Sequence, residues 1–345
     1  MLEVQIVLFD GFDLLDAIAP YEVFCAATLY TENTLNVEFV TADGPRFVTS
    51  GINGLKIEAR GKLDPARTGI IIIPGASGEL NGNSPASVPS ILGTAANSEL
   101  TGLMEQALGR SDVIVATVCG GALVLAMKGL LEGRPAVTNH LGMDLLGATG
   151  AIPVSARVVD DGNLVTGGGV TSGLDVGLYL LERELGPRIA HAVEQLFEFE
   201  RRGTVWRAAG MVPITQMSSD EGASIPSLPD DSLNSTASLT SRFDGEWDTT
   251  IVTPVGKLEV GLSISTNEGI IQGTATQGDE TIPFINPVYL ADKLTWSLSI
   301  SKPLRLNLKF EVSVHGNHMT GVAKAGVLPG SKLTGRRSAY SGSSS

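Results

Sequence analysis

Cys119 stands where a buried strand should meet a helix. The apolar run from Asp112 to Ala116 predicts the strand, two glycines follow the cysteine, and a helix-forming segment begins at Gly121. This is the geometry of a nucleophile elbow, in which a strained turn exposes its side chain at the sheet's edge. A thiol at a helix N-terminus also has a lowered pKa, which favours the thiolate. The pattern predicts a reactive cysteine. A buried structural cysteine is the alternative, because a free thiol packs like a small apolar group.

A second candidate is Asp16, an acid among apolar residues just after the first predicted strand. Carboxylates seldom stay buried without a partner, so this one either performs acid–base chemistry or supplies charge at a helix N-terminus. The Pro-Gly-Ala turn at 74–76 ends another strand. The backbone N–H groups of Gly75, Ala76 and Gly120 are candidates for an oxyanion hole. An ordinary strand-ending turn is the alternative.

Neither a metal nor a nucleotide site is predicted. The four histidines have no ligand spacing with a cysteine or a carboxylate cluster. The glycine run at 167–169 is not followed by Lys-Ser/Thr and lacks the dinucleotide-binding spacing. We therefore expect chemistry without a cofactor.

Composition limits the class of partner. The chain has 345 residues, 43% of them hydrophobic and 18% charged, with a net charge of −13. Nucleic acid and anionic membrane surfaces require a basic face, so both are disfavoured as partners. A small-molecule substrate is expected instead. No apolar run is long enough to span a membrane, the N-terminus lacks a basic signal-peptide region, and only two cysteines are present. A cytoplasmic location fits best.

Hydrophobic periodicity divides the chain into two domains. From 1 to 207, short apolar strands alternate with amphipathic helices, which predicts an α/β domain with a parallel sheet covered on both faces. Ligands of such sheets bind beyond the carboxyl ends of the strands, where Cys119 is expected. Residues 208–241 are rich in Ser, Thr, Pro and Asp and predict a flexible linker.

From 242 to 337 the hydrophobic period becomes two, which predicts a separate antiparallel all-β domain, a sandwich or small closed barrel. Gly245 and Trp247 open its first strand and Arg337 closes its last. These features resemble lipocalin-like barrels, in which the arginine packs across the tryptophan at the closed end. The Ser/Gly-rich tail at 338–345 is expected to be disordered.

The elbow, the acid-containing segment and the Pro-Gly turn together resemble the ThiJ/PfpI superfamily, whose fold is glutamine-amidotransferase-like. Further matches occur in the family's order at 129–133, 157–169 and 171–175, so that the resemblance covers about residues 1–207. Isonitrile hydratases are the most similar branch. The resemblance implies that Cys119 is the nucleophile, that Asp16 is the acid, and that the turn before Thr171 lines the site. It also implies a homodimer.

Two departures from the family pattern affect the predicted mechanism. The elbow reads Cys119-Gly120 where hydratases commonly carry Cys-Thr, which removes a hydroxyl beside the thiol. The family histidine aligns with Asn139, and His140 comes one position later. A histidine base next to the thiol is therefore in doubt, and either residue is a candidate for the pocket.

Three functions fit these residues. The first is a cofactor-free hydro-lyase in which the Cys119 thiolate adds to an isonitrile carbon, Asp16 transfers protons, and an N-substituted formamide is released. The second is an isomerase or cyclase of secondary metabolism that acts on a bulky small molecule through Asp16. The third is a non-catalytic protein that binds or senses a small molecule.

Overall fold

The computed structural model describes residues 1–32, 34–80, 84–211, 241–253, 256–267, 270–278, 280–290, 293–300, 306–325 and 330–338. Most of the predicted linker and nearly all of the predicted tail lie outside these residues. In the described part of the chain, no helix is both long enough and apolar enough to span a bilayer.

The first domain is built on a mostly parallel sheet. Its strands are β1 (Leu2–Val7), β2 (Leu35–Thr41), β3 (Arg46–Thr49), β4 (Lys56–Ala59), β5 (Gly61–Lys62), β6 (Gly69–Ile73), β7 (Val113–Thr117), β8 (Pro135–Ala136), β9 (Ile152–Pro153), β10 (Val158–Asp160) and β11 (Leu164–Gly167). The main sheet has the order β10-β11-β7-β6-β1-β2-β5, and β3–β4 and β8–β9 form separate pairs. Only β10 runs antiparallel in the main sheet, because it forms a hairpin with β11.

Helices cover both faces of this sheet. They are α1 (Leu14–Ala27), α2 (Val88–Ala96), α3 (Glu99–Leu108), α4 (Gly121–Ala126), α5 (Met143–Ala148), α6 (Ser172–Leu185) and α7 (Pro187–Phe197). Buried side chains of α1, α6 and α7 pack on one face, and those of α2 to α5 pack on the other. The central strands β6 and β7 are buried at every residue, which explains why they are apolar throughout. The predicted α/β architecture is confirmed.

The second domain is a nearly closed antiparallel barrel. Its strands are β12 (Gly245–Thr253), β13 (Gly256–Asn267), β14 (Ile270–Gln277), β15 (Glu280–Pro283), β16 (Ile285–Leu290), β17 (Lys293–Ile300), β18 (Leu306–His315), β19 (His318–Ala325) and β20 (Ser331–Arg337). The order is β15-β14-β13-β12-β20-β19-β18-β17-β16, and no pairing between β15 and β16 closes the ring in the described residues. The predicted all-β domain is confirmed.

Aromatic residues fill the barrel and close one end. Trp296 lies between Phe284 and Phe310, with ring centroids 4.4 and 4.9 Å away. The guanidinium of Arg337 lies 4.3 Å from the ring centroid of Trp247, as expected for a lipocalin-like closed end. The apolar cavity that remains inside measures about 20 Å³, the space of a single water molecule. Among the described residues, the barrel interior is therefore filled mostly by side chains.

Candidate active site

The turn at Cys119 is strained and is held by main-chain bonds. Cys119 has a φ of +55°, a conformation that non-glycine residues rarely adopt. Its N–H donates to the carbonyl oxygen of Gly167 (3.0 Å), and the N–H of Gly121 donates to that of Val118 (2.9 Å). Because α4 begins at Gly121, the strand–turn–helix arrangement of a nucleophile elbow is present.

The elbow and the Pro-Gly turn approach each other closely. A Cβ atom on Gly75 would lie 2.5 Å from the backbone nitrogen of Gly120 and 2.8 Å from Oδ2 of Asp16. A Cβ atom on Gly121 would lie 2.2 Å from the carbonyl oxygen of Ile73. Glycine at these positions therefore lets the ends of β6 and β7 and the start of α1 meet at one point.

Asp16 lies in the first turn of α1 and is fully buried. Its Oδ2 accepts a hydrogen bond from the N–H of Gly75 (2.9 Å), whereas Oδ1 has no hydrogen-bond partner. Asp13 caps the helix, with Oδ1 accepting from the N–H of Leu15 (2.9 Å). Burial, and then the charge of Asp13, raise the pKa of Asp16 from 3.8 to about 8, although the bonds from Gly75 and Cys119 oppose the shift. The carboxyl is therefore protonated at neutral pH.

The expectation of a lowered thiol pKa is wrong for this structure. Burial and the charge of Asp16 raise the pKa of Cys119 to about 12, while the Asn139 side chain and the Gly120 N–H lower it less. Helix α4 has only six residues, so the positive end of its dipole does little to lower the pKa of the thiol. The thiol and the carboxyl share one buried space, where two negative charges would repel each other. The resting pair is neutral.

Asn139, and not His140, faces the thiol. The Asn139 Nδ2 donates to Cys119 Sγ (3.4 Å), and its Oδ1 accepts from the N–H of Leu141 (3.1 Å). His140 is exposed and forms no hydrogen bond or ion pair within the described residues. Its predicted place in the pocket is not supported, because the short 3₁₀ helix that starts at His140 turns this side chain towards solvent.

The three predicted oxyanion donors differ in what their N–H groups do. The Gly75 N–H is occupied by Asp16, so it orients the acid and is not free for a substrate. The Gly120 N–H lowers the pKa of the Cys119 thiol, so it already acts on the sulfur. The Ala76 N–H has no acceptor in the part of the chain that the structure describes. Thr171 lies at the start of α6, where its exposed hydroxyl accepts from Arg157 (2.8 Å), and no bond ties it to Cys119.

Sequence analysis missed two buried threonines behind the elbow. Thr138 Oγ1 donates to the carbonyl oxygen of Cys119 (2.7 Å), and Thr166 Oγ1 accepts from the N–H of Val137 (2.9 Å). Thr166 lies in an apolar strand and Thr138 lies two residues after one, and threonines at such positions are too common to have indicated this role. By contrast, Asp13 could have been recognised, because an acid before an apolar helical segment is a helix N-cap signal.

No described residues form a metal site, since no three His, Cys, Asp or Glu side chains converge among them. The other cysteine, Cys25, is half-buried in α1, where its thiol interacts with Tyr21. The chemistry-bearing groups that the structure brings together are therefore Cys119, Asp16, Asn139 and the main-chain groups around them.

Comparison with known proteins gives the family of this chain. Isonitrile hydratase from Pseudomonas putida is 31% identical over 199 residues, which are 57% of this chain and 78% of that protein. The HTH-type transcriptional regulator CdhR from Pseudomonas aeruginosa is 25% identical over 197 residues, 56% of this chain and 54% of the regulator. A crystal structure of a ThiJ/PfpI family protein from Pseudomonas syringae has 26% identity and a TM-score of 0.49, covering 58% of this chain and 76% of that one. Residues 3–183 match the DJ-1/PfpI family, and the chain belongs to it.

Proposed function

We propose that the first domain is a cofactor-free hydro-lyase that hydrates isonitriles to N-substituted formamides. The observation that carries the proposal is that Cys119 and Asp16, a nucleophile and a protonated acid, are both buried where the turns at Gly75 and Gly120 meet. An isonitrile carbon must gain both a proton and a nucleophile, and the pair supplies one of each. The 31% identity to an isonitrile hydratase over most of that protein's length supports the same reaction class.

In the first step, the Cys119 sulfur forms a bond to the terminal carbon of R–N≡C. Asp16 delivers its proton to that carbon and takes up the thiol proton. The product is a thioimidate, R–N=CH–S, attached to Cys119, and Asp16 is again protonated. Atoms and charge balance, because the thiol has added across the carbon without a separate base. A neutral resting pair suits this step, since no ion needs to form before the substrate arrives.

In the second step, water adds to the thioimidate carbon. Asp16 gives its proton to the nitrogen and takes one from the attacking water, which gives R–NH–CH(OH)–S and leaves Asp16 protonated. The carbon–sulfur bond then breaks while the proton of the new hydroxyl passes through Asp16 to the sulfur, so that Cys119 leaves as the thiol and R–NH–CHO departs. The Ala76 N–H is our candidate donor to the new oxygen, because it lacks another acceptor in the described chain.

A second function is favoured because the Cys119 thiol is protonated at neutral pH. With a pKa of about 12 the Cys119 sulfur is a weak nucleophile at rest, whereas the pKa of Asp16, about 8, suits an acid–base catalyst. An isomerase or cyclase that acts on a bulky small molecule through Asp16 would use the same pocket without covalent catalysis.

One experiment separates these functions. Formamide production from an alkyl isonitrile is measured by mass spectrometry for the wild type, Cys119→Ala, Asp16→Asn and the exposed control His140→Ala. Hydratase chemistry predicts product from the wild type and the control only. No product from the wild type would refute the proposed reaction. Activity on another substrate that survives Cys119→Ala but not Asp16→Asn would instead support the isomerase or cyclase.

If no substrate is turned over, native mass spectrometry of the purified chain tests the binding or sensing alternative, which predicts a retained small molecule. We also propose a homodimer. Light scattering coupled to size-exclusion chromatography checks that proposal, and a monomer at micromolar concentration would contradict it.

A further inference from the structure

Three donors from one short segment converge on the nucleophile. The segment is 137–139, hereafter the clamp. Thr138 Oγ1 and the Asn139 N–H both donate to the carbonyl oxygen of Cys119, at 2.7 and 3.3 Å. The Asn139 side chain donates to the sulfur at 3.4 Å. The clamp therefore holds both the strained peptide and the thiol of the same residue.

The orientation of the Asn139 amide is fixed by its surroundings. Its Oδ1 accepts the N–H of Leu141, so the NH₂ group must be the end that faces the sulfur. The clamp is anchored in turn by the bond from the Val137 N–H to Thr166 Oγ1 (2.9 Å). Thr138 and Thr166 are fully buried, so water does not compete for these bonds.

We propose that Asn139 is a positioning residue of the proposed hydratase, which directs Cys119 Sγ towards Asp16 and stabilises the sulfur as it gains negative charge. An amide cannot take up a proton under working conditions, so Asn139 offers the sulfur a donor without offering a base. The acids that act electrostatically on the thiol are Asp16 and Asp13. Proton transfer is therefore left to Asp16.

A consequence for substrate class follows, and it rests on the proposed function. Isonitrile addition needs one proton relay, because the thiol proton and the carbon-bound proton can pass through the same carboxyl. Hydrolysis of an amide by a thiol instead starts with a base that takes up the thiol proton and later passes it to the leaving nitrogen. Asn139 cannot take up a proton and Asp16 already holds one, so this site favours unsaturated carbon electrophiles over amides.

The test measures the reactivity of the Cys119 thiol directly and needs no isonitrile. In a Cys25→Ser background Cys119 is the sole cysteine, and its reaction with methyl methanethiosulfonate at pH 9 is followed by intact mass. When an ionised sulfur loses a hydrogen-bond donor, the pKa of its thiol rises by about one to two units. Because a more basic thiolate is also more nucleophilic, the expected fall in the rate constant for Asn139→Leu is about 3- to 15-fold.

Two further variants make the result specific. Asn139→Asp keeps the acceptor for the Leu141 N–H but places an oxygen against the sulfur, so we expect a fall at least as large. The adjacent exposed control, His140→Ala, should react within about twofold of its parent. Each variant is first shown to be folded by its melting temperature.

An unchanged rate in either folded Asn139 variant would overturn the proposal. If the rates fall as expected but no variant or wild type hydrates an isonitrile, the positioning role stands and the proposed reaction is wrong. If isonitrile is hydrated and the labelling rates do not change, the reaction stands and the positioning role is wrong.

Discussion

Replacing Asp16 by asparagine should remove a large pH dependence of stability. The folded protein holds the Asp16 proton up to about pH 8, whereas the unfolded chain releases it near 3.8. Between these values the folded state binds one proton more, so the free energy of unfolding decreases as pH rises. The contribution of Asp16 to the free energy of unfolding is complete below its pKa in the unfolded chain, 3.8, and is lost as pH rises to its pKa in the folded protein, about 8. Four pKa units at about 1.4 kcal/mol each amount to about 5 to 6 kcal/mol.

The asparagine variant should lack this slope because it is neutral throughout. Its side-chain oxygen can still accept the Gly75 N–H, which Oδ2 accepts at 2.9 Å. The buried amide NH₂ group adds a roughly constant cost of about 1 to 3 kcal/mol. The stability of Asp16→Asn relative to wild type should therefore rise by about 4 kcal/mol between pH 5 and pH 8.

Urea unfolding of both proteins at pH 5 and pH 8, followed by circular dichroism, measures this change. The barrel domain is identical in the two proteins, so its transition is an internal reference. Asp13→Asn is a matched variant: asparagine caps a helix as well as aspartate does, but the charge that raises the pKa of Asp16 is gone. We expect it to show an intermediate slope. A stability difference between wild type and Asp16→Asn that stays constant within 1 kcal/mol across the two pH values would refute the reasoning.

Three further predictions follow from the site and from the barrel. Hydratase kcat/KM should fall as pH rises through about 8, where Asp16 loses its proton. A pH–rate profile checks this, and a rate that still increases at pH 10 would contradict the assigned acid. Gly75→Ala should abolish turnover and lower the melting temperature of the first domain, because its Cβ would lie 2.5 Å from the Gly120 nitrogen. A fully active, equally stable variant would show that the turns need not meet so closely. Arg337→Met should destabilise the barrel by about 1 to 3 kcal/mol, because it removes the stacking on Trp247 and the bonds to two carbonyl oxygens. Thermal unfolding tests this, and an unchanged barrel transition with preserved turnover would mean that the closed end is not stabilised by the arginine.

The sequence predicted the elements of the fold well where their signals are local. The strand before Cys119, the helix after Gly121 and the alternation in the barrel all depend on hydrophobic period and turn residues. Helix α2 was not predicted, although Ser87 caps it. A serine before an apolar helical segment is a typical helix start, so this helix was within reach of sequence reasoning.

The electrostatics of the site could not be predicted in full. Burial raises the pKa of a carboxyl, and the apolar residues around Asp16 indicate burial, so the direction of its shift could be anticipated from the sequence. The thiol itself was expected to ionise readily, because a local pattern shows the helix but not the depth of burial around Cys119. The bond partner of the Gly75 N–H depends on residues 59 positions apart, which no local pattern encodes.

The meeting of glycine-lined turns has a consequence for how this site can change its chemistry. Main-chain contacts set the position of Cys119. Its N–H donates to the Gly167 carbonyl oxygen, its carbonyl oxygen accepts from the Asn139 N–H, and Gly75 packs closely against the next residue, Gly120. Side chains supply the charge and the protons, and Thr138 Oγ1 adds one hydrogen bond to the Cys119 carbonyl oxygen. A single substitution at position 139 can therefore change the hydrogen bonding and the direction of the thiol while the main chain of Cys119 stays where it is. The main chain fixes the place of Cys119, and the side chains around the sulfur decide how the thiol reacts.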